Sequence, residues 1–188
     1  MTTGTNEQIQ WTSADLALLP DSPNHYEIID GRLEVTRASH WKHQTTLGRI
    51  HTFLDNWSMQ TGLGQSIITP GVIFTDTDNV IPDLIWMSRE RLAIAVDESG
   101  HLILAPELIV EVLSDGTDNI RRDRETKLKL YSNRGVQEYW IADWRSPLLE
   151  VYRREQGKLV LMQTLLMNDE LSSSLLPGFS CLISSIFA

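Results

Sequence analysis

Leu108-Ile109-Val110-Glu111-Val112-Leu113, entered through Pro106-Glu107 and left through Ser114-Asp115-Gly116-Thr117, is the stretch that decides the fold. It is apolar on both faces apart from one acid, the pattern of a central strand covered on each side. An acid in such a strand is costly to bury, so the fold must want its charge, and a divalent metal ion is the simplest candidate. Beyond the turn, Asn119 or Thr117 can cap a helix that runs to about Asn133 and closes at Gly135. Val136 to Asp143, with Tyr139-Trp140-Ile141 at its centre, reads as the next strand. Strand, helix and strand in this length form a crossover, which requires parallel pairing of Leu108–Leu113 with Val136–Asp143. The expected class is α/β, or α+β in some schemes, with a mixed central sheet flanked by helices.

The flanking sequence extends this frame. Between His40 and Met59 there is no proline, and Leu47, Ile50, Phe53, Leu54 and Trp57 recur at helical spacing, so a long amphipathic helix packs on the sheet. Tyr26 to Val35 forms two short apolar runs around Asp30-Gly31, the mark of a tight hairpin. Ser66–Phe74 and Leu84–Met87 read as strands, with Pro70-Gly71 a bulge or bend in the first. Arg89–Ala95 is a short helix or loop, and Leu102–Leu104 a short extended segment. Leu148–Arg153 and Lys158–Leu166 form an antiparallel hairpin through Gln156-Gly157. Ser13 and Asp15 open a short helix that Pro20 and Pro23 end. Residues 1–12 read as a loose arm and 167–188 as a packed tail. The 188 residues, 41% of them apolar, suit one domain over 1–188.

Composition narrows the function classes. The net charge is −9, which repels a polyanion, so nucleic-acid binding needs a local basic patch, a metal or both. The one cysteine, Cys181, rules out an internal disulfide framework and reads as a buried, inert thiol. No apolar run reaches the roughly 18 residues of a membrane helix, and residues 1–31 lack a signal-peptide pattern, so no membrane association and a cytoplasmic location are expected.

Asp83, in Pro82-Asp83, stands at the mouth of the Leu84–Met87 strand, with Glu111 on a neighbouring strand. Two carboxylates so placed can share one hard cation, completed by a backbone carbonyl such as that of Val112 and by waters, which suits Mg²⁺. The same acids are also read as a turn cap and as the partner of a structural arginine. The helix that follows supplies the local patch: Arg121, Arg122, Arg124, Lys127, Lys129 and Arg134 outnumber Asp123 and Glu125. Arg124, Lys127 and Tyr131 are expected on one stripe, with Lys127 leaning over the strand that holds Glu111. A lysine there could orient a metal-bound water or stabilise charge on a phosphate under attack; a solvated helix face is the plainer alternative.

Pro82-Asp83-Leu84, Pro106 to Ser114, Arg122 to Tyr131 and Gly135 to Asp143 together resemble the Uma-two family, a bacterial family classed with the endonucleases of the PD-(D/E)XK, restriction-endonuclease-like superfamily. The resemblance runs from about Tyr26 to Tyr152. It implies a restriction-endonuclease-like core carrying an N-terminal hairpin and a C-terminal antiparallel hairpin. It also implies a DNA endonuclease using Mg²⁺, or Mn²⁺, and a metal-activated water. On that resemblance Asp83 and Glu111 match the two metal-binding acids. The superfamily lysine usually follows the second acid by two residues, where this chain has Leu113; Lys127, on the next helix, takes its place. Glu27 resembles a family acid and is either a site-edge group or a surface strand residue. His43 divides the same way, with the helix surface favoured. Arg121, Arg122, Arg124 and Lys129 are the expected DNA-backbone contacts.

Rival functions remain at this level. A nuclease fold without turnover would serve as a nucleic-acid-binding module. A homodimeric interaction module would use a tryptophan-rich surface, six tryptophans being present, together with the C-terminal hairpin. A hydrolase of smaller phosphate esters would use the same acids. No aromatic and basic stacking motif is visible outside the site, so sequence-specific recognition has no evident vehicle.

Overall fold

In the computed structural model, residues 9–20 and 22–188 are described. The expected loose arm therefore lies mostly outside the described residues, and its end is tied down: the Trp11 N–H donates to the Gly31 carbonyl at 2.8 Å. Helix α1 (Ser13–Leu16) follows. Its cap is Thr12, one residue before the expected Ser13, because the Asp15 carboxylate takes both the Thr12 N–H at 2.8 Å and its hydroxyl at 2.7 Å.

The hairpin forms as the sequence predicts, β1 (His25–Ile29) against β2 (Arg32–Thr36). Asp30 at φ 52° and Gly31 at φ 70° make the two-residue turn, both in the left-handed region that this tight connection requires. Helix α2 (Trp41–Thr61) buries Leu47, Ile50, Leu54 and Trp57 on one side, at the spacing read from the sequence.

The segment expected as one bulged strand is two strands in different sheets. β3 (Gly64–Ile68) pairs with β6 (Leu84–Ser88), whereas β4 (Val72–Thr75) pairs with β5 (Asp78–Val80). Thr69 at φ 47°, followed by Pro70, which has no N–H to donate, ends the first pairing, so the chain crosses to the second sheet. β5 also pairs with β1, giving a four-stranded sheet in the order β2-β1-β5-β4. After the short helix α3 (Arg89–Leu92), Leu102 makes only isolated bridges, to Val72 and Val96.

The decisive stretch is β7 (Leu108–Val112), every residue buried. The chain then runs through α4 (Thr117–Arg121), a π-helical stretch (Arg122–Lys127) and α5 (Leu128–Arg134) as one rod, which ends at Gly135 with φ 89°. β8 (Glu138–Asp143) returns parallel to β7, as the crossover requires. β9 (Leu148–Glu155) and β10 (Lys158–Leu166) form the expected hairpin. The six-stranded sheet has the order β10-β9-β8-β7-β6-β3, so the acid-bearing strand is internal.

The packed tail carries more structure than expected: a two-stranded sheet of β11 (Glu170–Ser173) and β12 (Leu176–Leu182), then α6 (Ile183–Phe187). It shares one face of the large sheet with α2, where Leu108, Val110 and Val112 meet Leu47, Leu54 and Ile183. The opposite face, with Ile85, Ile109 and Leu113, is covered by Leu130 and Tyr131 of α5 and by Ile29, Val72 and Val80 of the smaller sheet. Cys181 is buried, and burial pushes its thiol up to about 12, which fits the inert role expected of it. Among the described residues no helix is long and apolar enough to cross a membrane.

Candidate active site

Strand alternation sets the geometry. Leu108, Val110 and Val112 face α2, so Ile109, Glu111 and Leu113 face the rod formed by α4, the π stretch and α5. Leu113 fills the core on that face, fully buried, which leaves no cation in the position two residues beyond Glu111. The cation comes down from the rod instead. Lys127 Nζ lies 2.9 Å from Glu111 Oε1 and 3.0 Å from Glu27 Oε1, and all three side chains are almost wholly buried. The Tyr131 hydroxyl donates to the same Glu111 oxygen at 2.8 Å.

Asp83 sits where β6 begins, across from the end of β7. Its Oδ2 accepts the Val112 N–H at 2.8 Å and lies 3.2 Å from His43 Nε2, while its own N–H meets Glu111 Oε2 at 3.4 Å. A strand residue's N–H and C=O point to the same neighbour, so the Val112 carbonyl also faces the Asp83 side. Asp83, Glu111 and Lys127 are thus brought together. Glu27 is no surface strand residue: it is buried, and it also accepts the Ile81 N–H at 2.8 Å. The expectation of His43 at the helix surface is corrected as well. At 2% exposure it turns inward from the first turn of α2 towards Asp83, and its Nδ1 has no partner among the described residues.

Asp123, which sequence reasoning counted only as one acid of a charged helix, is a further member of this cluster. It is 2% exposed and lines the same cleft as Glu27, His43, Asp83, Glu111 and Lys127. The expected stripe of Arg124, Lys127 and Tyr131 does not form, because the π stretch turns the helix more slowly than an α-helix. Asp123, Lys127 and Tyr131 face inward, and Arg124 swings out to Glu150 at 3.0 Å. A spacing of four and four residues is the only sequence signal for this alignment.

The expected DNA-contacting cations are largely engaged. Arg121 pairs with Glu125, Arg122 with Asp123 and Arg124 with Glu150; Lys129 alone of the four is exposed with no acid partner among the described residues. Arg122 is mostly buried and belongs to the cleft wall.

The electrostatics follow from this crowding. Burial pushes the Glu111 carboxyl up to about 8; the Lys127 ammonium opposes the rise, and the charges of Asp83, Asp123 and Glu27 add to it. Asp123 is also raised by burial, against the pull of Lys127 and Arg122. Asp83 goes the other way: burial would raise it, but the His43 ring, the Val112 N–H and Lys127 hold it below the ordinary aspartate range. Burial would also lower Lys127, yet Glu111, Glu27 and Asp123 outweigh that and hold it protonated.

Residues 13–184 match the model of the Uma2 family, described as "Putative restriction endonuclease". The chain belongs to the Uma2 family.

This Uma2 chain also resembles solved structures. One is a protein from Anabaena variabilis described as a "putative nuclease belonging to DUF820": TM-score 0.75, 17% identity, 94% of this chain and 97% of that one. At this identity the likeness is one of fold, and it supports a mixed central sheet flanked by helices. Another is the type IIG restriction endonuclease BpuSI, at TM-score 0.42 and 12% identity over 75% of this chain and 15% of that protein. No curated protein matches the chain.

Does the Uma2 cleft suit a metal? Among its described residues no group of three or more His, Cys, Asp or Glu side chains is gathered to hold one. Two carboxylates are nonetheless available: Asp83 Oδ1 accepts no hydrogen bond among the described residues, and Glu111 Oε2 accepts only the long one from Asp83. Charge points the same way: at the inner end of the cleft Glu27, Asp83, Glu111 and Asp123 crowd around Lys127 and Arg122, while Arg37, the third cation of the lining, is exposed. The crowding raises the Glu111 and Asp123 carboxyls, and a divalent cation beside them would relieve it. A cation that keeps most of its waters and takes one or two carboxylates fits this donor set.

Proposed function

We propose that this chain is a metal-dependent endonuclease that hydrolyses phosphodiester bonds of DNA, with Asp83, Glu111 and the Val112 carbonyl as ligands of Mg²⁺, or of Mn²⁺ in its place. The observation that carries the reading is a cleft crowded with four acids, whose two adjacent members, Asp83 and Glu111, each keep an oxygen free of strong hydrogen bonds. Bound there, the ion would supply a more acidic water and neutralise phosphate charge.

The protein's own groups have separable tasks. Asp83 is kept ionised and fixed by the Val112 N–H and by His43, whose Nε2–H donates to it. Tyr131 and Lys127 fix the other oxygen of Glu111, so that Oε2 is the one presented. Lys127, held protonated by the acids, acts as a fixed positive charge facing the negative charge that builds on the phosphate, not as a base. A nuclease fold without turnover is the second reading, favoured by the lack of a three-ligand cluster among the described residues.

The test is titration with Mg²⁺ and Mn²⁺ in the presence of plasmid and single-stranded DNA, with Asp83→Ala and Glu111→Ala beside the parent. Nicking that needs the divalent ion and falls at least about 100-fold in both variants supports the endonuclease. Ion binding by calorimetry without cleavage of any DNA favours the silent fold. Absence of ion binding, or cleavage indifferent to both substitutions, overturns the site.

A further inference from the structure

One side-chain group beside the cleft has no part in this chemistry. Of the six tryptophans, Trp57, Trp86 and Trp140 are buried, which removes the expected tryptophan-rich surface, but Trp41 is 66% exposed. It opens α2 and stands in a cationic and aromatic setting. The Lys42 ammonium lies 5.7 Å from the Trp41 ring centre and 5.8 Å from that of Trp144. The His40 ring stacks on Trp144 at 4.7 Å and 9° from parallel, and the Arg145 guanidinium is 5.9 Å from the same indole. Sequence separation of about a hundred residues hides this grouping.

The platform borders the cleft from two directions. Trp144 Nε1 donates to the carbonyl of Leu113 at 3.0 Å, next to Val112. Two residues after Trp41, His43 reaches Asp83, and Ser39 and Gln44 line the cleft itself. Its base is rigid, because Arg145 Nε donates to Asp143 Oδ1 at 3.0 Å. Packing does not account for Trp41. A cation over an exposed ring contributes little, and an indole left two-thirds in water has most of its face uncovered.

Building on the nuclease reading, we propose that Trp41, backed by Lys42, His40 and Trp144, stacks an unpaired base of single-stranded DNA whose backbone leads into the cleft. Every base has a face for an indole, but in a duplex that face is already stacked, so such a platform selects unpaired nucleotides. Lys42 and Arg145 flank the rings where the phosphates of that strand would pass. The substrate class is then single-stranded or frayed DNA.

The experiment measures fluorescence anisotropy of a labelled oligothymidylate, an abasic strand of equal length and a blunt duplex, with the full chain in Ca²⁺. Oligothymidylate is expected to bind tightest. Trp41→Ala should weaken it roughly 5- to 150-fold, Trp41→Phe should restore most of the loss, and the abasic strand should ignore both changes. Equal binding of oligothymidylate and abasic strand, indifference to Trp41→Ala, or no binding of any strand overturns the platform. Plasmid cleavage with Trp41-independent binding sinks the platform alone; Trp41-dependent binding without cleavage under any divalent ion sinks the nuclease reading alone.

Discussion

Lys127 and Arg121 lie on the same basic rod, and each pairs with a carboxylate at nearly the same distance: 2.9 Å to Glu111 for the lysine, 3.1 Å to Glu125 for the arginine. Their surroundings differ completely. Side-chain exposure is 3% and 4% in the first pair and 72% and 66% in the second. Water screens the outer pair so well that its formation gains almost nothing, whereas the inner ions have no solvent to fall back on and each depends on the other. Like motifs in the sequence therefore carry unlike energies, and burial decides which charge the site is built around.

Removing one partner should show the contrast most strongly on the inside. Lys127→Met leaves Glu27, Glu111 and Asp123 without their shared cation, and urea unfolding in EDTA is expected to register a loss of about 3–5 kcal/mol. A loss below about 1 kcal/mol would mean that the inner acids simply take up protons and that the contrast is weaker than drawn.

Next in size is a pH effect. Glu111 is pushed up to about 8 from the 4.5 of an ordinary glutamate, so between those values the folded protein holds a proton that the unfolded chain has released. Its contribution to stability is therefore present below pH 4.5 and lost as pH rises through about 8. Metal-free protein should lose a few kcal/mol over this window, and Glu111→Gln should flatten the profile. Adding Mg²⁺ at the alkaline end should restore the parent and not the variant, as read by thermal melts. A parent profile that is flat or rises with pH would break the assignment.

At the small end, Arg121→Ala should change stability by no more than about 0.5 kcal/mol and lose even that in high salt, checked by the same urea titration.

The sequence disclosed what depended on local pattern. Asp30-Gly31 revealed the hairpin, the unbroken apolar run gave a central strand, and the strand–helix–strand spacing gave its parallel neighbour. The smaller sheet was hidden because β5, Asp78-Asn79-Val80, is too short and polar to read as a strand, and because Pro70-Gly71 within Ser66–Phe74 reads as well as a bulge in one strand as a passage between two sheets. In the cleft, Asp83 and Glu111 stood out as acids against apolar strands. Glu27 and His43 did not, since a surface hairpin or the first turn of a helix can place a polar residue on either side. Asp123 stands four residues before Lys127, a spacing that puts both on one helix face, but among the charges of the rod nothing marked it as the buried acid. His40 and Lys42 bridge Trp41 and Trp144 only once β8 has crossed back beside β7.

Glu27 has one more consequence. It belongs to the four-stranded sheet, yet its carboxylate is held by Lys127 from the rod and by the Ile81 N–H on the way into β6. The smaller sheet is latched to the larger by the same ammonium that the inner acids share. Any opening that lifts this sheet away must first separate a buried ion pair, so amide protons in β1 and at Ile81 should exchange together with those lining the cleft, as one cooperative unit that tightens when a cation is bound.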